Sequence, residues 1–201
     1  DMNGDGYIDI VTPGHDEAHI MLFMNNGTQQ ASWQVQDIGL TWNQGNIVNL
    51  DITDINGDGQ LDIFEGSIAE NDSNGGIMKW YNNVDQNASI WESITITNFE
   101  GQKYKTSALS DVDDDGDIDI ILAKQQGYQE SAVIEFMLYK NSGGTIPTWT
   151  ESTIYSEQVD VRSIAMDDID GDGLLDIVVL GDSHYPLNDN LYWLKNNQDT
   201  L

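Results

Sequence analysis

Four segments of this chain place oxygen-bearing side chains at one fixed spacing. They are Asp1-Met-Asn-Gly-Asp-Gly-Tyr-Ile-Asp9, Asp54-Ile-Asn-Gly-Asp-Gly-Gln-Leu-Asp62, Asp111-Val-Asp-Asp-Asp-Gly-Asp-Ile-Asp119 and Asp168-Ile-Asp-Gly-Asp-Gly-Leu-Leu-Asp176. Side-chain oxygens fall at positions 1, 3, 5 and 9 of each, and the backbone carbonyl of position 7 adds another. Hard oxygen ligands at alternate positions of a tight turn suit calcium, which takes about 6–8 oxygens in flexible geometry. Magnesium demands tighter octahedral geometry and is the weaker candidate. Position 6 is Gly6, Gly59, Gly116 and Gly173, where a positive φ lets the chain curl around an ion. Position 4 is Gly4, Gly57 and Gly171, but Asp114 in the third segment, so that position reads as less strict. Without metal, the motif gathers 14 carboxylates into four clusters with no counter-charge of its own, which like-charge repulsion opposes.

An EF-hand begins the same way, but it needs flanking helices and a bidentate Glu at position 12. Position 12 here is Thr12, Glu65, Leu122 and Val179. Position 9 runs directly into Ile10-Val, Ile63-Phe, Ile120-Ile and Ile177-Val, which read as strands.

A second group of chemistry-bearing residues lies in the loops between the Asp segments. All three histidines, His15, His19 and His184, fall there, with Tyr128 and Tyr185 nearby and with Trp42 and Phe99 in the links between repeats. Aromatic rings beside carboxylates and amides can form a sugar site, the ring stacking while polar groups read hydroxyls. Histidine, tyrosine and a cation could instead run β-elimination on a uronic acid. The basic cluster that a uronate needs is thin: Lys103, Lys124 and Arg162. Polar loops without a ligand are the plainer reading. Gly14-His-Asp-Glu-Ala-His19 is not the His-Glu-x-x-His order of a helical zinc site.

Composition narrows the field. The 201 residues carry a formal net charge of -28, with 26 Asp and 9 Glu against 7 Lys plus Arg. Nucleic acid and anionic membrane share that sign and are excluded as main partners. With no cysteine there is no disulfide framework, thiolate zinc site or thiol nucleophile. No run of about 18 apolar residues offers a membrane-spanning helix.

The elements that must position these residues repeat with the Asp segments, whose starts lie 53, 57 and 57 residues apart. A second landmark follows each segment: Phe23-Met-Asn25, Trp80-Tyr-Asn82, Tyr139-Lys-Asn141 and Leu194-Lys-Asn196. A third is a tryptophan 8 or 9 residues later: Trp33, Trp91 and Trp149. Their recurrence marks these tryptophans as core, whereas Trp42 stands alone and is the better ligand platform. Short runs rich in Ile, Val, Trp, Tyr and Thr, bounded by Gly, Asn, Asp and Ser, predict strands and no helix. Four strands per repeat of roughly 50 residues fit a β-propeller blade. The reading is all-β, with repeats at 1–53, 54–110, 111–167 and 168–201, the first and last incomplete, and 14 strands in all. A closed ring of four such blades needs about 16, so further blades of the same chain or partner chains are expected to complete a larger ring.

The Asp loops, the apolar strand after each and the Trp-Tyr-Asn strand resemble the FG-GAP or VCBS repeats of integrin-like propellers, common in secreted bacterial proteins. The resemblance spans essentially the whole chain. It implies up to four calcium ions, each in the turn between the first and second strands of a blade. The side-chain ligands it implies are Asp1, Asn3, Asp5 and Asp9; Asp54, Asn56, Asp58 and Asp62; Asp111, Asp113, Asp115 and Asp119; and Asp168, Asp170, Asp172 and Asp176. Tyr7, Gln60, Asp117 and Leu174 would add their carbonyls. The resemblance also implies an extracellular or cell-surface location and recognition of a glycan or protein on the loops opposite the calcium turns. A polysaccharide lyase and a structural spacer are the alternatives.

Overall fold

The structure, a computed structural model, describes residues 1–14, 19–28, 33–40, 46–68, 75–127, 133–157, 160–183 and 188–197. Among them are fourteen strands and no helix: β1 (Ile10–Pro13), β2 (His19–Asn25), β3 (Trp33–Leu40), β4 (Asn46–Thr53), β5 (Asp62–Ile68), β6 (Gly76–Asn83), β7 (Trp91–Phe99), β8 (Gln102–Ser110), β9 (Asp119–Gln126), β10 (Val133–Asn141), β11 (Trp149–Glu157), β12 (Asp160–Asp167), β13 (Asp176–Ser183) and β14 (Asn188–Leu194). They form four antiparallel meanders, β1-β2-β3, β4-β5-β6-β7, β8-β9-β10-β11 and β12-β13-β14. The chain divides into two compact units, Asp1–Glu100 and Gly101–Leu201, each holding two of these sheets.

The sequence explains which strands are central. β5 and β6 are buried along nearly their whole length and β9 over its first five residues, with apolar cores at Ile63-Phe64, Ile77-Met78, Trp80-Tyr81 and Ile120–Ala123. The outer strand β7 alternates polar and apolar residues and is largely open. Within the first unit, Ile20, Leu22 and Met24 of β2 share a core with Ile63 of β5 and Tyr81 of β6. Within the second, Ile134, Phe136 and Leu138 of β10 share one with Val161, Ile164, Ile177 and Val179 of β12 and β13.

A β-bulge recurs at one place in the last strand pairing of the first three sheets. The register skips Ile38 between β2 and β3, Ile96 between β6 and β7, and Ile154 between β10 and β11. Ile38 and Ile154 pack against the two cores. The bulge thus turns one isoleucine of a mostly polar strand inward, and the added twist is the usual consequence.

Two sheet faces stay bare. Leu22 and Leu138 are buried in their cores, but the matching residue of the last sheet, Trp193, is 48% exposed. Ile63, Ile120 and Ile177 are buried where Ile10 of the first sheet is 48% exposed. Trp33 lies on that first sheet and is exposed, whereas Trp91 packs against the first core and donates its indole N–H to the Ala88 carbonyl at 2.9 Å. The expectation that the recurring tryptophans are core therefore holds for Trp91 and fails for Trp33.

Candidate metal centre

The first Asp segment, loop 1, precedes β1. Loops 2, 3 and 4 join β4 to β5, β8 to β9 and β12 to β13. One hydrogen-bond set closes all four. The position-1 carboxylate accepts the backbone N–H groups of positions 5 and 6, at 3.0 and 2.7 Å for Asp1, 3.1 and 2.8 Å for Asp54, 3.1 and 2.9 Å for Asp111, and 3.0 and 2.9 Å for Asp168. The position-5 carboxylate accepts the position-7 N–H at 2.9 Å in loops 1 and 2 and 3.0 Å in loops 3 and 4. Position 6 is left-handed throughout, with φ between 87° at Gly59 and 94° at Gly116. Position 4 makes the same demand. Gly4 and Gly57 sit at 70°, Gly171 at 78° and Asp114 at 60°, so Asp114 adopts the left-handed conformation rather than relaxing it.

Position 9 has a different environment from the others. Asp62, Asp119 and Asp176 are fully buried. One oxygen accepts the N–H of position 2: Met2 to Asp9 at 2.7 Å, Ile55 to Asp62 at 3.1 Å, Val112 to Asp119 at 3.1 Å and Ile169 to Asp176 at 3.3 Å. The other accepts the N–H at the end of the third strand, at 2.8 Å from each of Asn25, Asn83, Asn141 and Asn196. The exit carboxylate therefore ties the start of the loop to the strand beyond it. This register also corrects the second landmark. The equivalent asparagine in the second repeat is Asn83, not Asn82, and the tryptophan then follows at the same distance in all three repeats: Asn25 pairs with Trp33, Asn83 with Trp91 and Asn141 with Trp149.

Burial pushes the Asp62 and Asp119 carboxyls up to about 6. The two backbone N–H bonds to each act in the opposite direction, and nearby Asp58, or Asp113 and Asp115, reinforces the rise.

Carboxylates converge in loops 3 and 4. Oxygens of Asp111, Asp113 and Asp115 lie within 4.8 Å of one another, as do those of Asp168, Asp170 and Asp176. An all-oxygen set of this density fits a hard divalent cation, and its charge would offset the repulsion among the carboxylates. Loops 3 and 4 do hold counter-charge, contrary to the expectation from the motif. Lys140 pairs with Asp113, and Lys195 pairs with Asp170 and, at 3.0 Å, with Asp172. Those carboxylates raise both ammonium groups above the usual lysine value, and the hydrogen bond from Lys195 lowers Asp172. In loop 2 the corresponding slot holds Asn82, whose Oδ1 accepts the Asn56 amide at 3.3 Å. The motif could not reveal these partners, because they come from a strand 25 or more residues downstream of the side chains they meet.

Glu65, the one acid at an EF-hand position 12, is buried in β5 and accepts the Tyr81 hydroxyl at 2.6 Å. It serves the sheet core rather than the loop.

Of the residues proposed for a ligand face, His15, Trp42, Tyr128, His184 and Tyr185 lie outside the described residues. His19 is the first residue of β2 rather than part of a loop, and its Nδ1 lies 2.7 Å from Asp37 Oδ2 on β3. Phe99 is buried at the end of β7, which removes it from the candidate face.

Residues 1–65 and 111–179 match the model of the FG-GAP-like repeat. The chain belongs to that family, whose repeats typically occur in extracellular adhesion and recognition proteins. The four antiparallel sheets are its propeller-like blades. No curated protein matches the chain significantly.

Proposed function

We propose that this chain is a calcium-loaded extracellular recognition module of the secreted bacterial type, with one ion in each Asp loop. The supporting observation is the convergence of carboxylate oxygens in loops 3 and 4, on a backbone that the same hydrogen-bond pattern holds in shape in all four loops. Calcium outside cells reaches concentrations that fill even weak oxygen sites. Glycan or protein recognition is assigned to the opposite ends of the strands, where the loops differ between repeats and where Trp42 is the aromatic anchor. Loops on a rigid scaffold commonly carry function. The bare faces around Trp193 and Ile10 are apolar enough to take further sheets, from the same chain or a partner.

Native mass spectrometry should count four calcium ions on the folded chain, and melts should be higher in calcium than in chelator because the ion binds the folded loops. Equal melting temperatures would remove the metal assignment. For recognition, a glycan and protein array should lose signal with Trp42→Ala while the calcium-dependent melt stays put. An unchanged array would remove the ligand assignment.

A further inference from the structure

The residue just before the third-strand asparagine sorts the loops into two kinds. It is Met24, Asn82, Lys140 and Lys195 in loops 1 to 4. Position 3 changes in step: Asn3 and Asn56 in the first two loops, Asp113 and Asp170 in the last two. The two sites meet in space. In loop 2 an amide pair fills the slot, Asn56 to Asn82 at 3.3 Å. In loops 3 and 4 a carboxylate and an ammonium fill it, Asp113 with Lys140 and Asp170 with Lys195. Each added ligand carboxylate thus comes with one added cation at the same slot.

We infer that Lys140 and Lys195 are resident cations of loops 3 and 4, which hold those carboxylate clusters together without metal and are exchanged for the divalent ion when it binds. In loops 1 and 2 the same slot holds the uncharged Met24 and Asn82. The inference rests on the calcium reading only for the exchange step; the clamp itself operates in the metal-free protein. Both lysine side chains are about two-fifths exposed, at 41% and 43%, so an ammonium can swing into water without disturbing the strand. The consequence is two grades of site. Loops 3 and 4 are assembled before the ion arrives but give up an ion pair to take it. Loops 1 and 2 take the ion without displacing a cation from that slot.

The test uses the full chain and the Lys140→Met/Lys195→Met variant, which keeps stem length and removes charge. In chelator at low salt the variant should melt several degrees below the parent, and added sodium chloride should shrink the gap by screening. In a calcium titration followed by native mass spectrometry, two of the sites should tighten by roughly tenfold, since a competing unit charge a few ångströms from the ion is gone. If the chelator melts coincide, the clamp is wrong, whether or not calcium binds. If the melt falls but all affinities stay the same, the exchange is wrong. If neither protein binds calcium, the proposed function fails while the chelator melts still decide the clamp. A transplant guards against simple misfolding: Asn56→Asp alone should lower the chelator melt, and adding Asn82→Lys should recover most of the loss. Additive effects of the two substitutions would overturn the pairing.

Discussion

Asp119 and Asp115 stand in one loop and share one side chain, yet their surroundings differ in kind. Asp119, at the exit, is fully buried and spends both oxygens on backbone N–H groups, of Val112 and Asn141. Asp115, at the mouth, is exposed, bonds the N–H of Asp117 and has an oxygen near Asp111 and Asp113. The exit carboxylate is a structural tie that an ion can share. The mouth carboxylates are a cluster of like charge, offset in loop 3 by Lys140 beside Asp113, and Asp115 itself does little metal-free beyond shaping the turn. The same contrast repeats in loop 2, with Asp62 at the exit and Asp58 at the mouth.

The largest expected effect tests that contrast directly. Asp119→Ala leaves two N–H groups of the buried loop base without an acceptor, and a buried unsatisfied group costs about 1–3 kcal/mol. A net loss of about 2–4 kcal/mol is expected in chelator as well as in calcium, less than the sum because the buried charge is also removed. Asp115→Ala should cost less than about 1 kcal/mol in chelator and act mainly by removing calcium from loop 3. Denaturant melts of both variants with and without calcium make the comparison. Equal losses in chelator would mean that exit and mouth are not different.

A pH series gives the next largest effect. Asp62 and Asp119 have folded pKa values of about 6, above the unfolded value of 3.8. Between those values the folded state binds more protons than the unfolded state. Their contribution to stability is therefore fully present below about pH 3.8 and is lost as pH rises through about 6. In chelator the melting temperature should rise as pH falls from about 7 to about 5. In calcium it should fall over the same range, because protons compete with the ion for the same oxygens. Parallel slopes would show that the exit carboxylates do not sense the metal.

Much of this was legible in the sequence because the loop demands are local. Asp-x-Asn/Asp-x-Asp-Gly fixes a turn through contacts a few residues apart, and the apolar runs after it fix the central strands. What stayed hidden depends on pairing at a distance. Trp80-Tyr-Asn82 and Tyr81-Asn-Asn83 are equally good matches by residue type, and only the bond from the Asn83 N–H to Asp62 chooses between them. The bulges at Ile38, Ile96 and Ile154 leave no mark, since one extra apolar residue in a mixed strand looks like ordinary irregularity. Lys140 and Lys195 sit inside the recurring Tyr139-Lys-Asn141 and Leu194-Lys-Asn196 strings, and nothing ties them to the loops until the third strand is laid against them. Position 4 of the loops misled in the other direction, because a change of residue type at Asp114 did not mean a change of backbone.

Asp114 supplies the smallest and most discriminating test. It sits at φ 60°, a conformation that the other three loops give to glycine. A non-glycine residue there carries a strain of about 1 kcal/mol, which asparagine and aspartate tolerate best. Glycine relieves that strain but is freer in the unfolded chain, and the two nearly cancel. The remaining difference is electrostatic: Asp114 adds a negative charge beside Asp113 and Asp115 without occupying a ligand position. Asp114→Gly should therefore stabilise the metal-free protein by about 0.5 kcal/mol and leave the number of bound calcium ions unchanged. Loss of Asp119 would then weaken the fold while loss of Asp114 strengthens it, within a single loop. A clear destabilisation by Asp114→Gly in chelator would place Asp114 among the residues that shape the turn and erase that opposition of sign.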